Sequence, residues 1–311
     1  MEWRLVVNMT PLLMLNILLE KGAPIELAEL LVELADSVRE ISVAIVTTST
    51  GKVGTKNAFG EEQAAMDVRA EEILQAHMKT CPFVGAFSSE ELDHLEVVRD
   101  EGKYSVYYDP LDGSSLLDVN CSVGTIVGVY EGNEVIGQTP GDQVAALYGQ
   151  YGPRTTVMLT FGQGVMEFTL HEGAWVLSEA SVQLNEEKKY FAPGNLRACG
   201  DRPDYYALIQ SYIEGKYTLR YSGGMVPDIN HILKKGSGIF MYPGTPDNPD
   251  AKLRLLYECG PMAFLMEQAG GAASNGRISI MDLKIESLVQ RTPIFIGGAA
   301  QVEDAVSRLK A

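Results

Sequence analysis

The stretch Tyr108-Asp109-Pro110-Leu111-Asp112-Gly113-Ser114-Ser115 constrains this chain more than any other segment. It closes a strand-like run and sets two carboxylates three residues apart beside a glycine-serine turn. Pro110 removes a backbone donor and stiffens the turn, so Asp109 and Asp112 can converge on a hard cation that also takes the carbonyl of Leu111. Oxygen ligands of this kind suit Mg²⁺, with Mn²⁺ as the alternative. Gly113, Ser114 and Ser115 then offer successive N–H groups where a helix would start, which is a cradle for a phosphate. Metal and anion would meet in one loop, as a metal-assisted phosphatase requires. The plainer alternative is that Asp-Gly marks only a β-turn.

Charge bears directly on that choice. A formal net charge of −16 argues against nucleic acid and anionic membrane as partners, since both demand basic surfaces. It would also repel a phosphorylated substrate, unless some carboxylates hold divalent cations that reverse the local sign. With 311 residues, 46% of them hydrophobic, the chain can bury a large core as two domains or one extended α/β body. Cys81, Cys121, Cys199 and Cys259 are scattered, which points to a reducing compartment such as the cytoplasm. The apolar run at residues 5–19 is broken by Asn8, Pro11 and Asn16 and does not read as a targeting segment. No later run approaches the roughly 20 apolar residues that span a bilayer.

Along the chain, Leu27, Leu30, Leu31, Leu34, Val38, Ile41 and Ile45 recur at three and four, which predicts an amphipathic helix over residues 24–46. Residues 47–59, rich in Thr, Gly and Lys, read as a loop, and helical spacing resumes over 63–77. Strands are expected at 83–87, 104–108 and 122–130, the last two flanking an Asp-Pro-Leu-Asp loop. Three antiparallel strands follow at 155–161, 165–170 and 174–177. Helices are expected at 205–212, 227–233 and 253–268, with strands at 238–242 and 293–296 and a last helix from Val302. The weakest boundary falls near 185–195 and suggests domains at 1–190 and 191–311.

The carboxylates that gather at element ends or beside glycine-rich or apolar segments are Glu61, Asp67, Glu90, Glu91, Asp109, Asp112 and Glu258. Glu258 stands apart. It sits between Leu255-Leu256-Tyr257 and Pro261-Met262-Ala263, where an unpaired carboxylate is costly unless a cation or donor meets it. The complementary group is Arg220, Lys252 and Arg254 interleaved with Tyr221, Tyr242 and Tyr257, a combination that can grip a phosphate ester. Four histidines without short spacing argue against zinc, and no Ser-His-Asp or Cys-His arrangement stands out.

Taken together, Gly60-Glu61-Glu62-Gln63 with Asp67, Ser89-Glu90-Glu91, the Asp109 to Ser115 run and Ala251-Lys252-Leu253-Arg254-Leu255-Leu256-Tyr257-Glu258-Cys259-Gly260-Pro261-Met262 resemble the fructose-1,6-bisphosphatase superfamily in order and spacing. Within it the closer resemblance is to the sedoheptulose-1,7-bisphosphatases, through Gly141-Asp142-Gln143-Val144-Ala145-Ala146, Tyr151-Gly152-Pro153-Arg154-Thr155-Thr156, Pro193-Gly194-Asn195-Leu196-Arg197-Ala198 and the block from Tyr217 to Asp228. Met241-Tyr242-Pro243 and Leu256-Tyr257-Glu258-Cys259 look more like the fructose enzymes.

The resemblance implies an α/β fold, a layered α-β-α-β-α sandwich of the fructose-1,6-bisphosphatase and inositol phosphatase type. It implies Mg²⁺ at Glu90, Asp109, Asp112, Glu258 and the Leu111 carbonyl, with Glu61 near a further site. Glu91 and Asp67 would polarise the attacking water. Gly113, Ser114 and Ser115 would hold the 1-phosphate, and Asn195, Tyr221, Tyr242, Lys252 and Arg254 the sugar and its distal phosphate. Arg220 would reach a neighbouring subunit's site, which implies a homo-oligomer, a dimer or tetramer. The expected reaction is hydrolysis of the 1-phosphate of sedoheptulose 1,7-bisphosphate, of the pentose-phosphate or Calvin-cycle kind. A gluconeogenic fructose-1,6-bisphosphatase, a dual-specificity enzyme and a silent sugar-phosphate sensor are the alternatives. Residues 53–59 hold no cysteine pair, so thioredoxin-type switching through that loop is not expected. Only Lys103-Tyr104 of the AMP-binding pattern is visible, which argues against AMP inhibition.

Overall fold

The computed structural model describes residues 13–49, 51–56, 62–185 and 189–309. Glu61 and the first twelve residues, on which part of the targeting argument rests, lie outside them. Helix α1 takes in residues 13–20. It is followed by α2 (Ile25–Thr47), the short strands β1 (Lys52–Lys56) and β2 (Glu62–Ala64), and α3 (Ala65–Thr80). Strands β3 (Val84–Ser89), β4 (Glu96–Val97), β5 (Tyr104–Asp112), β6 (Val123–Glu131), β7 (Gln143–Tyr151), β8 (Thr155–Thr160), β9 (Val165–His171) and β10 (Ala174–Val182) form one sheet, ordered β10-β9-β8-β7-β6-β5-β3-β4. Then come β11 (Tyr190–Pro193), α4 (Pro203–Glu214), β12 (Thr218–Leu219), α5 (Met225–Lys235), β13 (Ile239–Tyr242), α6 (Gly260–Gln268), β14 (Gly271–Ser274), β15 (Ile294–Gly298) and α7 (Ala299–Arg308). Their strands make a second sheet, ordered β12-β11-β13-β15-β14.

Strand alternation turns these elements into five layers. On β5, Tyr104, Val106 and Tyr108 face a core shared with Leu30, Leu34, Val38 and Ile41 of α2 and Leu74 of α3. Tyr107, with Ile126, Tyr130 and Tyr148 of the neighbouring strands, faces the other way, onto Val226 and Ile229 of α5 and Met262 and Leu265 of α6. Phe240 and Ile296 of the second sheet close that middle core, while Phe191, Ile239 and Phe295 on its far face pack against Tyr205, Leu208 and Val302 of α4 and α7. The order is helix, sheet, helix, sheet, helix, as the resemblance implied. Among the described residues no helix is long and apolar enough to cross a membrane.

Several expectations change. The loop expected over 47–59 contains β1, which pairs antiparallel with β2, so Gln63 is a strand residue and α3 starts two residues later. Strands β7, β11, β12 and β14 carried no sequence signal strong enough to assign. In β7 the reason is Gly149: a Cβ there would come within 2.5 Å of Val38 Cγ1, so the residue type is set by a helix far away in the chain. The helix expected over 253–268 begins only at Leu255, as one π-helical segment (Leu255–Cys259) that passes into α6. Pro261 explains the break, since it has no N–H to give the carbonyl four residues back.

Gly124 of β6 fixes how α5 meets the large sheet. A Cβ there would lie 2.4 Å from Val226 Cγ1. Gly124→Val should push the start of α5 off the sheet, costing about 1–3 kcal/mol as overpacking does, and should lower activity with it. A thermal melt and an activity assay on the same preparation check this; an unchanged melting temperature would contradict the close packing.

Candidate active site

Strand β3 runs parallel to β5, with Ser89 beside Tyr108. The N–H of Glu90 donates to the Tyr108 carbonyl (3.0 Å), so Glu90 and Asp109 leave the carboxyl ends of two neighbouring strands side by side. The Asp-Pro-Leu-Asp segment is not the free loop expected from sequence. It stays in β5 and bulges: Asp109 pairs with Ile126 and Asp112 with Gly124, three residues against two. Pro110 cannot donate to the ladder, and its carbonyl takes the Thr125 hydroxyl instead (2.8 Å). The extra residue matters because side chains three apart on a regular strand point to opposite faces.

Glu258 arrives from the π-helical segment. The N–H groups of Glu258 and Cys259 both donate to the Arg254 carbonyl, at 3.2 and 3.0 Å, and the Arg254 N–H donates to Glu258 Oε2 at 2.5 Å. Single π turns of this kind recur at functional sites. Here the turn brings Glu258 to the strand ends: one oxygen each of Glu90, Asp109 and Glu258 lie within 4.8 Å of one another. Asp112 sits beside them, buried, its Oδ2 accepting the Val226 N–H at the start of α5 (2.7 Å). Leu111 is buried too, and its N–H donates to Asp109 Oδ1 (2.9 Å).

The electrostatics of this cluster call for a cation. Burial, and then the Glu258 and Asp112 charges, push the Asp109 carboxyl well above the usual range. Burial likewise pushes Glu258 up to about 7, against the Arg254 N–H that favours its ionised form. Asp112 is also raised by burial, with the Val226 and Met225 N–H groups and Lys252 working the other way. Buried carboxylates that repel one another and offer only hard oxygen donors fit Mg²⁺ or Mn²⁺.

Arg254 is not where the sequence put it. It is 1% exposed, and its guanidinium forms an ion pair with Glu90. It therefore belongs with the carboxylates, as a buried counter-charge, and not with the exposed Lys252 and Tyr221. The sequence could not distinguish these positions, because both are cations two residues apart and packing from distant segments decides that Arg254 is buried and Lys252 exposed.

Asp67, in the first turn of α3, accepts the Ala64 N–H (2.9 Å) and interacts with the Ser114 hydroxyl; burial raises its pKa against both. Asp67 thus lies next to the segment that carries Gly113, Ser114 and Ser115. Gly113 has φ +78, the left-handed region that favours glycine, and caps a 3₁₀-helix over Ser114–Val119. The first N–H groups of such a helix have no partner within it. Glu91 lies near enough to Asp109 for its charge to raise that carboxyl further.

Around the opening, Tyr221 is half exposed. Its hydroxyl pKa is raised by burial and by the charges of Asp228 and Tyr242, and lowered by Lys252 and Arg197, so these groups surround it. Asn195 takes a left-handed conformation (φ +47) and donates to the Pro243 carbonyl (2.9 Å), which ties β11 to the end of β13 next to Tyr242. Arg220 is exposed, with its guanidinium carbon 6.0 Å from the Tyr190 ring centroid. A cavity of about 490 Å³ between the start of α4 and residues 244–250 contains none of these groups.

Two residues escaped the sequence reading. Asp228, 4% exposed, accepts the Ser222 N–H (2.8 Å) and is pushed up to about 7, mainly by burial. Glu71 is buried under the strand ends. Both stand on helices at positions that continue an apolar face, and a carboxylate on such a face was the available signal.

The family described as "Fructose-1-6-bisphosphatase, N-terminal domain" matches residues 12–180, and the one described as "Fructose-1-6-bisphosphatase, C-terminal domain" matches residues 184–310. The chain is 46% identical over 287 residues to the fructose-1,6-bisphosphatase class 1 of Trichlorobacter lovleyi, covering 91% of this chain and 90% of that one. It is 44% identical over 281 residues to the chloroplastic sedoheptulose-1,7-bisphosphatase of Spinacia oleracea, covering 89% and 72%. A solved structure of a putative sedoheptulose-1,7-bisphosphatase from Toxoplasma gondii superposes with a TM-score of 0.89 at 34% identity, covering 94% of this chain and 97% of that one. The Leishmania major fructose-1,6-bisphosphatase in holo form superposes with the same TM-score and coverage at 30% identity.

Proposed function

The chain belongs to the fructose-1,6-bisphosphatase family, and on that premise we propose that it is a divalent-cation-dependent phosphatase that removes the 1-phosphate of fructose 1,6-bisphosphate. The observation that carries the proposal is the convergence of Glu90, Asp109 and Glu258 within 4.8 Å, with Asp112 alongside. Those residues and the Leu111 carbonyl would hold Mg²⁺, and Glu61 would serve a further site. When bound there, the cation would supply charge neutralisation for the phosphoryl group and would make a water more acidic.

The chain's own groups do the rest. The N–H groups at Gly113, Ser114 and Ser115 take the oxygens of the 1-phosphate and aim its phosphorus at the carboxylates. Asp67, made more basic by burial, and Glu91 orient the water and accept its proton. Tyr221, Tyr242, Asn195 and Lys252 grip the sugar and its far phosphate. Arg254 keeps Glu90 in place and meets no substrate. Arg220, exposed beside the edge strand β12, reaches toward a second copy of the chain in a homo-oligomer. Of these groups Asp67, Glu90, Glu91, Asp109 and Asp112 precede a domain boundary near residue 190, while Glu258 and the grip follow it.

Lys252→Ala should raise KM by about 10- to 100-fold, the worth of one charge-assisted contact to a phosphate, with kcat nearly unchanged. A kcat loss without a KM change would remove Lys252 from the grip.

The seven-carbon preference expected from the sequence becomes the second reading. The relatives named for the six-carbon sugar reach 46% identity and the spinach sedoheptulose enzyme 44%, which does not separate the two sugars. Phosphate release from fructose 1,6-bisphosphate and sedoheptulose 1,7-bisphosphate, measured side by side with Mg²⁺, tests both. Faster turnover of the seven-carbon sugar would replace the primary reading by the second. Release from neither would leave a sugar-phosphate sensor.

A further inference from the structure

We propose that Glu71 is a positioning residue that locks the segments carrying Glu90, Glu91 and Asp109 together, from beneath the site; this rests on the metal-dependent reading above. Glu71 stands one helical turn after Asp67 on the same face of α3, 8% exposed. Three donors meet its carboxylate: the Ser89 hydroxyl at 2.6 Å, the Gln75 amide at 2.8 Å and the Tyr108 hydroxyl at 3.1 Å. A group that accepts from three donors is held as an acceptor, with a fixed orientation.

What those donors adjoin gives Glu71 its role. Ser89 immediately precedes Glu90, and its Oγ also accepts the Glu91 N–H (3.1 Å). Tyr108 immediately precedes Asp109. One carboxylate thus ties together the residue before each of two ligands, and through Ser89 the backbone of Glu91. The opposite face of β3 repeats the device: Ser88 and Tyr257, the residue before Glu258, share a hydrogen bond of 3.0 Å between hydroxyls, and Ser88 Oγ donates to the His94 carbonyl (2.8 Å). Ser88 and Ser89 point to opposite faces because they are neighbours on a strand, so the Glu90 segment is pinned from two layers at once. Ser88, Ser89, Tyr108 and Tyr257 are all fully buried, so water cannot replace a lost partner without a cavity to hold it.

Glu71→Ala would free both hydroxyls and let Ser89 to Glu91 move. Outer partners of metal ligands are commonly worth about 10- to 100-fold in metal affinity, and that is the loss of Mg²⁺ affinity expected by titration calorimetry. A second readout needs no metal: amide exchange at Glu91 in the metal-free protein should quicken by about 10-fold or more as its segment opens locally. Glu71→Gln keeps an oxygen for Ser89 and should recover most of both effects. If the Ala variant does not fold, Ser89→Ala removes the same link while emptying little space and should give the same two changes. Wild-type Mg²⁺ affinity and Glu91 exchange in Glu71→Ala, or in Ser89→Ala if the former does not fold, would overturn the proposal. If the unmodified protein binds no Mg²⁺, the metal reading fails, and the exchange measurement alone decides the role of Glu71.

Discussion

Asp109→Asn should cut kcat by on the order of 10³-fold, the scale seen when one group that stabilises transition-state charge is lost, while making the metal-free protein more stable. The second half separates this residue from an ordinary buried polar group. Asn keeps the oxygen that accepts the Leu111 N–H, so the bulge has no reason to open. It also removes a charge that burial, Glu258 and Asp112 all oppose. Relief of that repulsion should raise the melting temperature in a chelator, and the further rise that Mg²⁺ gives the unmodified protein should shrink. Phosphate release and two melting curves check it. An active variant that still responds to Mg²⁺ would remove Asp109 from the site.

Without divalent cations the protein should lose stability as pH rises from about 5 to 8. Glu258 titrates at 4.5 when free and at about 7 in the fold, and Asp228 moves from 3.8 to about 7, in each case chiefly because burial disfavours the charge. Between those values the folded chain keeps protons that the unfolded chain releases. The contribution is therefore complete below the free pKa values and lost as pH climbs through the folded ones. A fall in melting temperature on the order of 5 °C in chelator fits shifts of this size in a chain of this length. Mg²⁺ at pH 8 should recover it by binding only the folded state, and Glu258→Gln should flatten part of the slope. Melting curves at several pH values with and without Mg²⁺ measure this; a flat profile in chelator would mean that the carboxylates are better solvated than their burial indicates.

Local readings survived where the cause is local. The period of α2 is visible because Leu27 to Ile41 all face one core, and the turns around Gly162 and Gly173 are visible because each supplies a positive φ between strands. Readings failed where the deciding neighbour lies far along the chain. Gly149 hides β7 because Val38 of α2 needs the space, and Pro261 turned an expected α-helix into a π turn followed by a helix. The second sheet was hardest, because β11, β12 and β14 are four residues or fewer and take their regularity from β13 and β15.

The candidate site divides in the same way. The sequence by itself determined the chemistry available: carboxylates at Glu90, Asp109, Asp112 and Glu258, a proline that withholds a donor between two of them, and a glycine where φ is positive. Their type and spacing are properties of a few adjacent residues, and covalent geometry acts at that range. Only the tertiary structure decided which of them meet. The bulge that turns Asp109 and Asp112 to one side needs β6 as a partner, and Glu258 reaches the strand ends only through the π turn. Arg254 becomes an internal counter-charge, and Glu71 a brace, because layers packed from distant segments close around them. Burial and strand register are set by the whole chain, so no local pattern could specify them.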